Sequence, residues 1–218
     1  MKKQYKLTLS ALLAAAVVAG CATAAGPIDL DQLTAAIVKA SFRDEGIVKA
    51  SVLDTDETNR ACSAADVAGT PLDEATANRL QEVNLKSIKW PSDGKFIGDW
   101  KEGEKLAQSG RGLTYSDTAQ TPNGGNCYNC HQIDKKEISF GTIGPSLYNY
   151  GKLRGISDDP KSPASIAIIE YTWGKIWNAK AYNACSNMPR AGHTGIMTEA
   201  QVRDLVGLLV DPKSPVNE

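Results

Sequence analysis

Between Asn126 and Gln132 the chain reads Cys127-Tyr128-Asn129-Cys130-His131, two thiols and an imidazole within five consecutive positions. Three chemistries use a Cys-x-x-Cys core: a redox-active disulfide, half of a tetrahedral zinc site, and covalent attachment of haem. Only the third needs a histidine directly after the second cysteine. Sulfurs three positions apart can reach both vinyl groups of one porphyrin while the adjacent imidazole swings beneath its iron. A zinc site needs about four N or S ligands, usually with a second Cys or His pair at its own spacing, and the sequence supplies no such pair. A thioredoxin-like dithiol follows a strand in a βαβ pattern. The flanks here, Thr121 to Asn126 (TPNGGN) and Gln132 to Glu137 (QIDKKE), do not read as buried strands. The motif therefore points to one covalently bound haem c, with Cys127 and Cys130 as the attachment points and His131 as the proximal iron ligand; a redox dithiol is the weaker alternative.

An iron held by one histidine keeps a free position, and whether the protein fills it separates electron carriers from ligand-binding or catalytic haems. Met188, His193 and Met197 are the downstream candidates. Met188 is expected to be the distal ligand, because Pro189 stiffens the loop around it and nine residues of irregular chain separate it from the last helix. Met197 directly precedes Thr198, where an apolar residue commonly staples the start of a helix. His193 lies between Gly192 and Thr194 and reads as a solvated turn residue. His131 also needs a partner for its second nitrogen, since a hydrogen bond there fixes the ring and tunes the metal. The Pro145 carbonyl is the expected acceptor, with Leu147 in the same segment expected to pack on the haem; Pro145 could equally be a plain turn residue. Iron with both His and Met ligands favours rapid one-electron transfer, because neither redox state must gain or lose a ligand.

The elements that position these residues have 218 positions and 42% hydrophobic residues to work with, enough for one or two domains with a buried core. Residues 1 to 20 place Lys2, Lys3 and Lys6 before an apolar run too short to span a bilayer comfortably, which is the pattern of an export signal. Cleavage is expected between residues 20 and 25. Val18-Ala19-Gly20-Cys21 looks like a lipoprotein box, whereas Ala22-Thr23-Ala24 suits ordinary cleavage, and the second is preferred. The expected location is periplasmic, with membrane attachment only if Cys21 is lipidated. Removing residues 1 to 20 leaves 21 basic against 25 acidic residues, a formal charge of −4. The basic residues are dispersed, so nothing suggests a nucleic-acid partner. In an oxidising compartment Cys62 and Cys185, the cysteines left over, are the obvious disulfide pair. Such a bridge closes more than a hundred residues and is worth on the order of 4 to 5 kcal/mol in the chain-entropy model; two buried free thiols are the alternative.

Along the chain, Leu30, Leu33, Ile37 and Val38 recur at helical spacing and predict a short amphipathic helix over 30–40. Further helices are expected over 54–62, over 73–86 with Leu80 and Val83 inward, and over 99–108. Gly141 to Leu147 is too rich in Gly and Pro for regular structure. Ser162 and Pro163 start a helix with Ile166, Ile169, Trp173, Ile176 and Trp177 on one face. Thr198-Glu199-Ala200-Gln201 is a capping box for a last helix that buries Val202, Leu205, Val206 and Leu209 and stops at Asp211-Pro212. The expected architecture is mainly α: a helical N-terminal extension over 26–98, a second domain over 99–211 carrying the Cys/His motif, and a tail over 212–218.

The succession of CYNCH, GPSL and MP before a closing TEAQVRDLVGLL helix resembles class I c-type cytochromes over residues 99 to 211. A narrower resemblance lies in IGDWKEGEKLAQSGRG, GGNCYNCHQ, GTIGPSLYNYGKLRG and NACSNMPRAGHTG, and upstream in ASFRDEGI and ETNRACSA. These look like the SoxX family, the monohaem cytochrome subunits of bacterial thiosulfate oxidation. The resemblance implies a class I cytochrome c domain and a heterodimer with a SoxA-like catalytic cytochrome. That complex joins thiosulfate oxidatively to a cysteine of a SoxYZ-like carrier, with electrons passed on to a small soluble cytochrome c. It also implies the same roles for Cys127, Cys130, His131 and Met188, and an isolated chain that carries electrons without a substrate site of its own. Two other functions are open: a free-standing periplasmic electron shuttle, and a haem enzyme or gas sensor with an open distal site.

Overall fold

The computed structural model describes residues 28–157 and 159–218; the export signal, its cleavage site and Cys21 lie outside them. Among the described residues there are seven α-helices and no β-strand, only an isolated bridge between Glu45 and Val48. The mainly α architecture follows. None of the described helices is long and apolar enough to cross a membrane.

The chain divides into two units, residues 1–43 and 44–218. The described part of the first holds α1, Leu30–Ser41, whose N-terminus is capped by Asp29 accepting from Gln32 N at 3.0 Å. Leu30, Leu33, Ile37 and Val38 fall along one face of it, as their spacing predicts.

In the second unit five of the six described α-helices start at a short polar side chain that takes up an otherwise orphaned backbone N–H. Asp56 caps α2 (Glu57–Ala68), Asp73 caps α3 (Glu74–Lys86), and Asp99 caps α4 (Trp100–Gln108). Ser162 caps α6 (Pro163–Trp177), and Thr198 with Gln201 forms the full capping box of α7 (Glu199–Val210). A short α5 (Tyr150–Arg154) has no side-chain cap. α2 starts later and runs further than its pattern predicts, because a 3₁₀ turn over Ala50–Leu53 occupies the chain up to Asp54. Gly69, at φ +62°, then ends it in the left-handed conformation that favours glycine.

The core is centred on α6 and α7. Trp173, Val202, Val206 and Leu208 are fully buried, with Ile169, Ile176, Trp177, Leu205 and Leu209 around them. Each such side chain contributes about 1.5–3 kcal/mol through removal from water. Two expectations fail at the edges: Val83 is 52% exposed and Ile166 is 41% exposed. Both sit on amphipathic helices whose apolar stripe is wider than the surface available to cover it. The C-terminal residues do more than their polarity suggests. Val216 is buried, and Asn217 donates to Leu209 O and Asp211 O while accepting from Gly151 N, so one amide ties α5 to the end of α7.

α4 crosses α7 at very short range, which fixes the platform under the rest of the domain. A Cβ on Gly103 would lie 2.1 Å from Asp204 O, and one on Gly207 would lie 2.6 Å from Gly98 O. Only glycine lets the two backbones approach this closely. At the same crossing Gly98 N donates to Arg203 O and Asp99 N to Asp204 Oδ1 at 2.8 Å. Burial raises the Asp204 carboxyl above its ordinary range; the Asp99 N–H opposes this, and the negative charges of Asp99 and Glu102 add to it. The folded chain therefore holds this proton more tightly than the unfolded chain, and stability falls as pH rises from the ordinary carboxylate range through the raised folded value. Asp204→Asn keeps an oxygen for Asp99 N and removes the charge. Its denaturant midpoint at neutral pH should equal or exceed the wild type's, with the advantage vanishing in acid; a lower midpoint for Asn at neutral pH would contradict this.

Candidate functional site

The motif folds as a single 3₁₀ turn, Cys127–Asn129, entered through Asn126 in the left-handed region at φ +49°. Cys130 N and His131 N both donate to Cys127 O, at 3.1 and 3.0 Å. One helical turn therefore places positions i, i+3 and i+4, which are Cys127, Cys130 and His131, on the same side. Both thiols are free. Burial pushes the Cys127 thiol up to about 11, opposite to the lowered value that makes a redox dithiol nucleophilic.

The Gly/Pro segment runs alongside this turn in the same direction. Gly141 N bonds Tyr128 O, Gly144 N bonds Cys130 O, and Leu147 N bonds Gln132 O, all within 2.8 Å. The strap delivers the Pro145 carbonyl to His131 Nδ1 at 2.7 Å. A ring nitrogen that donates there must carry the proton, so Nε2 presents its lone pair. Gly144 makes the approach possible: a Cβ at this position would lie 2.1 Å from His131 Cε1. Leu147 packs half-buried against the core.

The three distal candidates are separated by what already holds them. Met197 is 2% exposed, and Asn123 Nδ2 lies 3.8 Å from its sulfur, so it serves the core. His193 is largely exposed, with its Nδ1 3.1 Å from Ser87 Oγ, and partial desolvation, with the Arg190 charge adding to it, lowers its pKa. Met188 is half-buried against the same core as Cys127 and Leu147. Its backbone N–H bonds Ser186 Oγ, and no hydrogen bond engages its sulfur among the described residues. The structure thus assembles Cys127, Cys130, His131, Gly144, Pro145 and Leu147 directly, and brings Met188 to the shared core on a separate loop. The cysteine pair left over forms a disulfide between Cys62 and Cys185, 123 residues apart.

These residues fit a covalently held haem. Two free thiols share a face with an imidazole whose outer nitrogen is already anchored. The buried Nε1–H of Trp177, stacked on Trp173 at the Met188 loop, has no hydrogen-bond partner among the described residues. A bare metal ion needs a larger donor set, and no group of three or more His, Cys, Asp or Glu side chains is placed to hold one among the described residues. A porphyrin supplies four nitrogens of its own and asks the chain for two ligands at most. Residues 101–211 match the cytochrome c family. The chain belongs to this family. Membership implies covalently bound haem c and a role in electron transfer. A relative, an uncharacterized lipoprotein of Aquifex aeolicus (strain VF5), is 36% identical over 166 residues, covering 75% of this chain and 73% of that protein.

Two contributors escape a reading of the motif alone. Gly144 is visible in sequence only as one more glycine of an irregular loop, and the Trp177 indole only as one more apolar position of a helix. Gly144→Ala should force the His131 ring off the Pro145 carbonyl. In the haem-loaded chain the expected cost is about 1–3 kcal/mol of stability in a guanidinium titration; an unchanged midpoint would show that the ring has room the geometry denies.

Proposed function

We propose that this cytochrome is the electron-transfer subunit of a SoxAX-type complex. It takes electrons released when a SoxA-like partner conjugates thiosulfate to a SoxYZ-like carrier cysteine and passes them to a small soluble cytochrome c. The single observation that carries the electron-carrier half is the His131 geometry. An imidazole anchored by Pro145, on the face that presents Cys127 and Cys130, is a fixed ligand that need not move between redox states. Haem c supplies the one-electron couple. Cys127 and Cys130 would tether it, His131 Nε2 and the Met188 sulfur would ligate its iron, and Trp177 Nε1–H would be available as a donor to a haem carboxylate. An iron given two ligands by the chain would favour electron relay over substrate or gas binding.

The thiosulfate half is supported by the SoxX-like segments around the motif, including NACSNMPRAGHTG and the upstream ETNRACSA, which bring Cys62 and Cys185 into one disulfide. Export to the periplasm accords with covalent haem and a disulfide. The lipoprotein relative favours Cys21 acylation as the way the exported chain is retained.

Mild detergent extraction of native membranes, followed by affinity capture of this chain, tests the partnership. A SoxA-like cytochrome should co-purify in a fixed ratio and the complex should sediment as a heterodimer. A chain that sediments as a monomer at every extraction condition would instead be a free-standing shuttle.

A further inference from the structure

The loop that carries Met188 has little regular structure of its own, yet chain segments far upstream hold it on both sides. Three residues before Met188, Cys185 is bonded to Cys62 of α2. Two residues after it, Arg190, with its side chain 11% exposed, pairs with Asp56. The same Asp56 carboxylate accepts from Asn59 N at 2.8 Å and so caps α2. One side chain therefore starts the helix that bears Cys62 and holds the loop that bears Met188. Farther along, His193 meets Ser87 at the end of α3. At the loop's root Asn178 donates to Asn84 Oδ1 and Ser87 Oγ, and Lys180 Nζ donates to Ala184 O at 3.1 Å, next to Cys185.

Ordinary helical cover would spread its contacts over the surface beneath. Here the disulfide and the ion pair fall on either side of one residue, 123 and 134 positions away in sequence. Between them Pro189 lacks an N–H, and Met188 N bonds the side chain of Ser186 and no other group among the described residues. Such a loop would open readily if left to itself.

We infer that α2, through the Cys62–Cys185 bond and the Asp56–Arg190 pair, is a clamp that keeps the Met188 loop closed, making Asp56 and Cys62 positioning residues for the thioether ligand. This rests on Met188 being that ligand. The clamp shifts the balance between the closed loop and an open one in which the distal position is accessible. A small external ligand binds only the open form, so its apparent dissociation constant is the intrinsic constant divided by the open fraction.

Imidazole titration of the ferric, haem-loaded full-length chain reads that fraction, and the far-red thioether-to-iron absorption reports Met ligation independently. Asp56→Asn keeps a capping oxygen for α2 but loses the charge paired with Arg190. Its imidazole affinity should rise about tenfold, with an Asp56→Glu variant restoring most of the wild-type value. The double variant Cys62→Ser/Cys185→Ser should rise by at least about as much. If that variant does not fold, Asp56→Asn decides alone. Native protein that shows the far-red band, together with wild-type imidazole affinity in Asp56→Asn, overturns the clamp and leaves the ligation intact. Native protein that lacks the band, with an imidazole affinity that Met188→Ala does not change, refutes the ligation and the clamp with it.

Discussion

The His131 ring can present Nε2 to a metal only because its Nδ1 proton is committed to the Pro145 carbonyl. That commitment needs the Gly/Pro strap to lie against the Cys-x-x-Cys-His turn. The strap can lie there only because position 144 has no side chain to strike the ring. A free imidazole would sample several orientations and both tautomers, and a ligand that reorients with each electron slows transfer. The anchored ring and the two thiols on its face are one arrangement, built from the motif turn and the strap beside it.

The rest of the second unit serves that arrangement by being hard to deform. The glycine crossing of α4 and α7 holds two backbones close enough that neither helix can slide without a clash. α6 contributes the stacked Trp173 and Trp177, and Trp173 Nε1–H reaches back to Lys89 O just after α3. A buried polar chain through Thr58, Asn84 and Asn178 links α2 and α3 to the end of α6, with each amide hydrogen-bonded. α2 and α3 are thus built into the support of the Met188 loop, which accounts for their lack of chemical motifs of their own.

What could be read from sequence follows from how local each cause is. The five-residue motif is legible because its chemistry is set by covalent spacing. The starts of α6 and α7 are legible because Ser162-Pro163 and Thr198 to Gln201 act within one turn. The mainly α class comes from the same local signals. Causes that depend on distant partners left no such mark. The helical pattern starts at Asp54, whereas the preceding 3₁₀ turn takes the chain to Asp54 and leaves Asp56 as the cap. Val83 has the right period for burial but no neighbour to bury it. The Asp56–Arg190 pair joins residues 134 apart, each of which reads as a solvated charge. Asn217 looks like a polar tail residue, because its value lies in three backbone groups that only the fold brings to it.

The central claim is that Cys127 and Cys130 are joined to a haem that His131 ligates. It is tested most directly by intact mass and absorption of the exported chain, denatured, after production alongside a cytochrome maturation system. The polypeptide should be heavier by one haem and stay red through denaturation. The added mass should disappear when Cys127 and Cys130 are both replaced by alanine. A colourless chain at the bare polypeptide mass, with Cys127 and Cys130 still open to a thiol reagent, would contradict it.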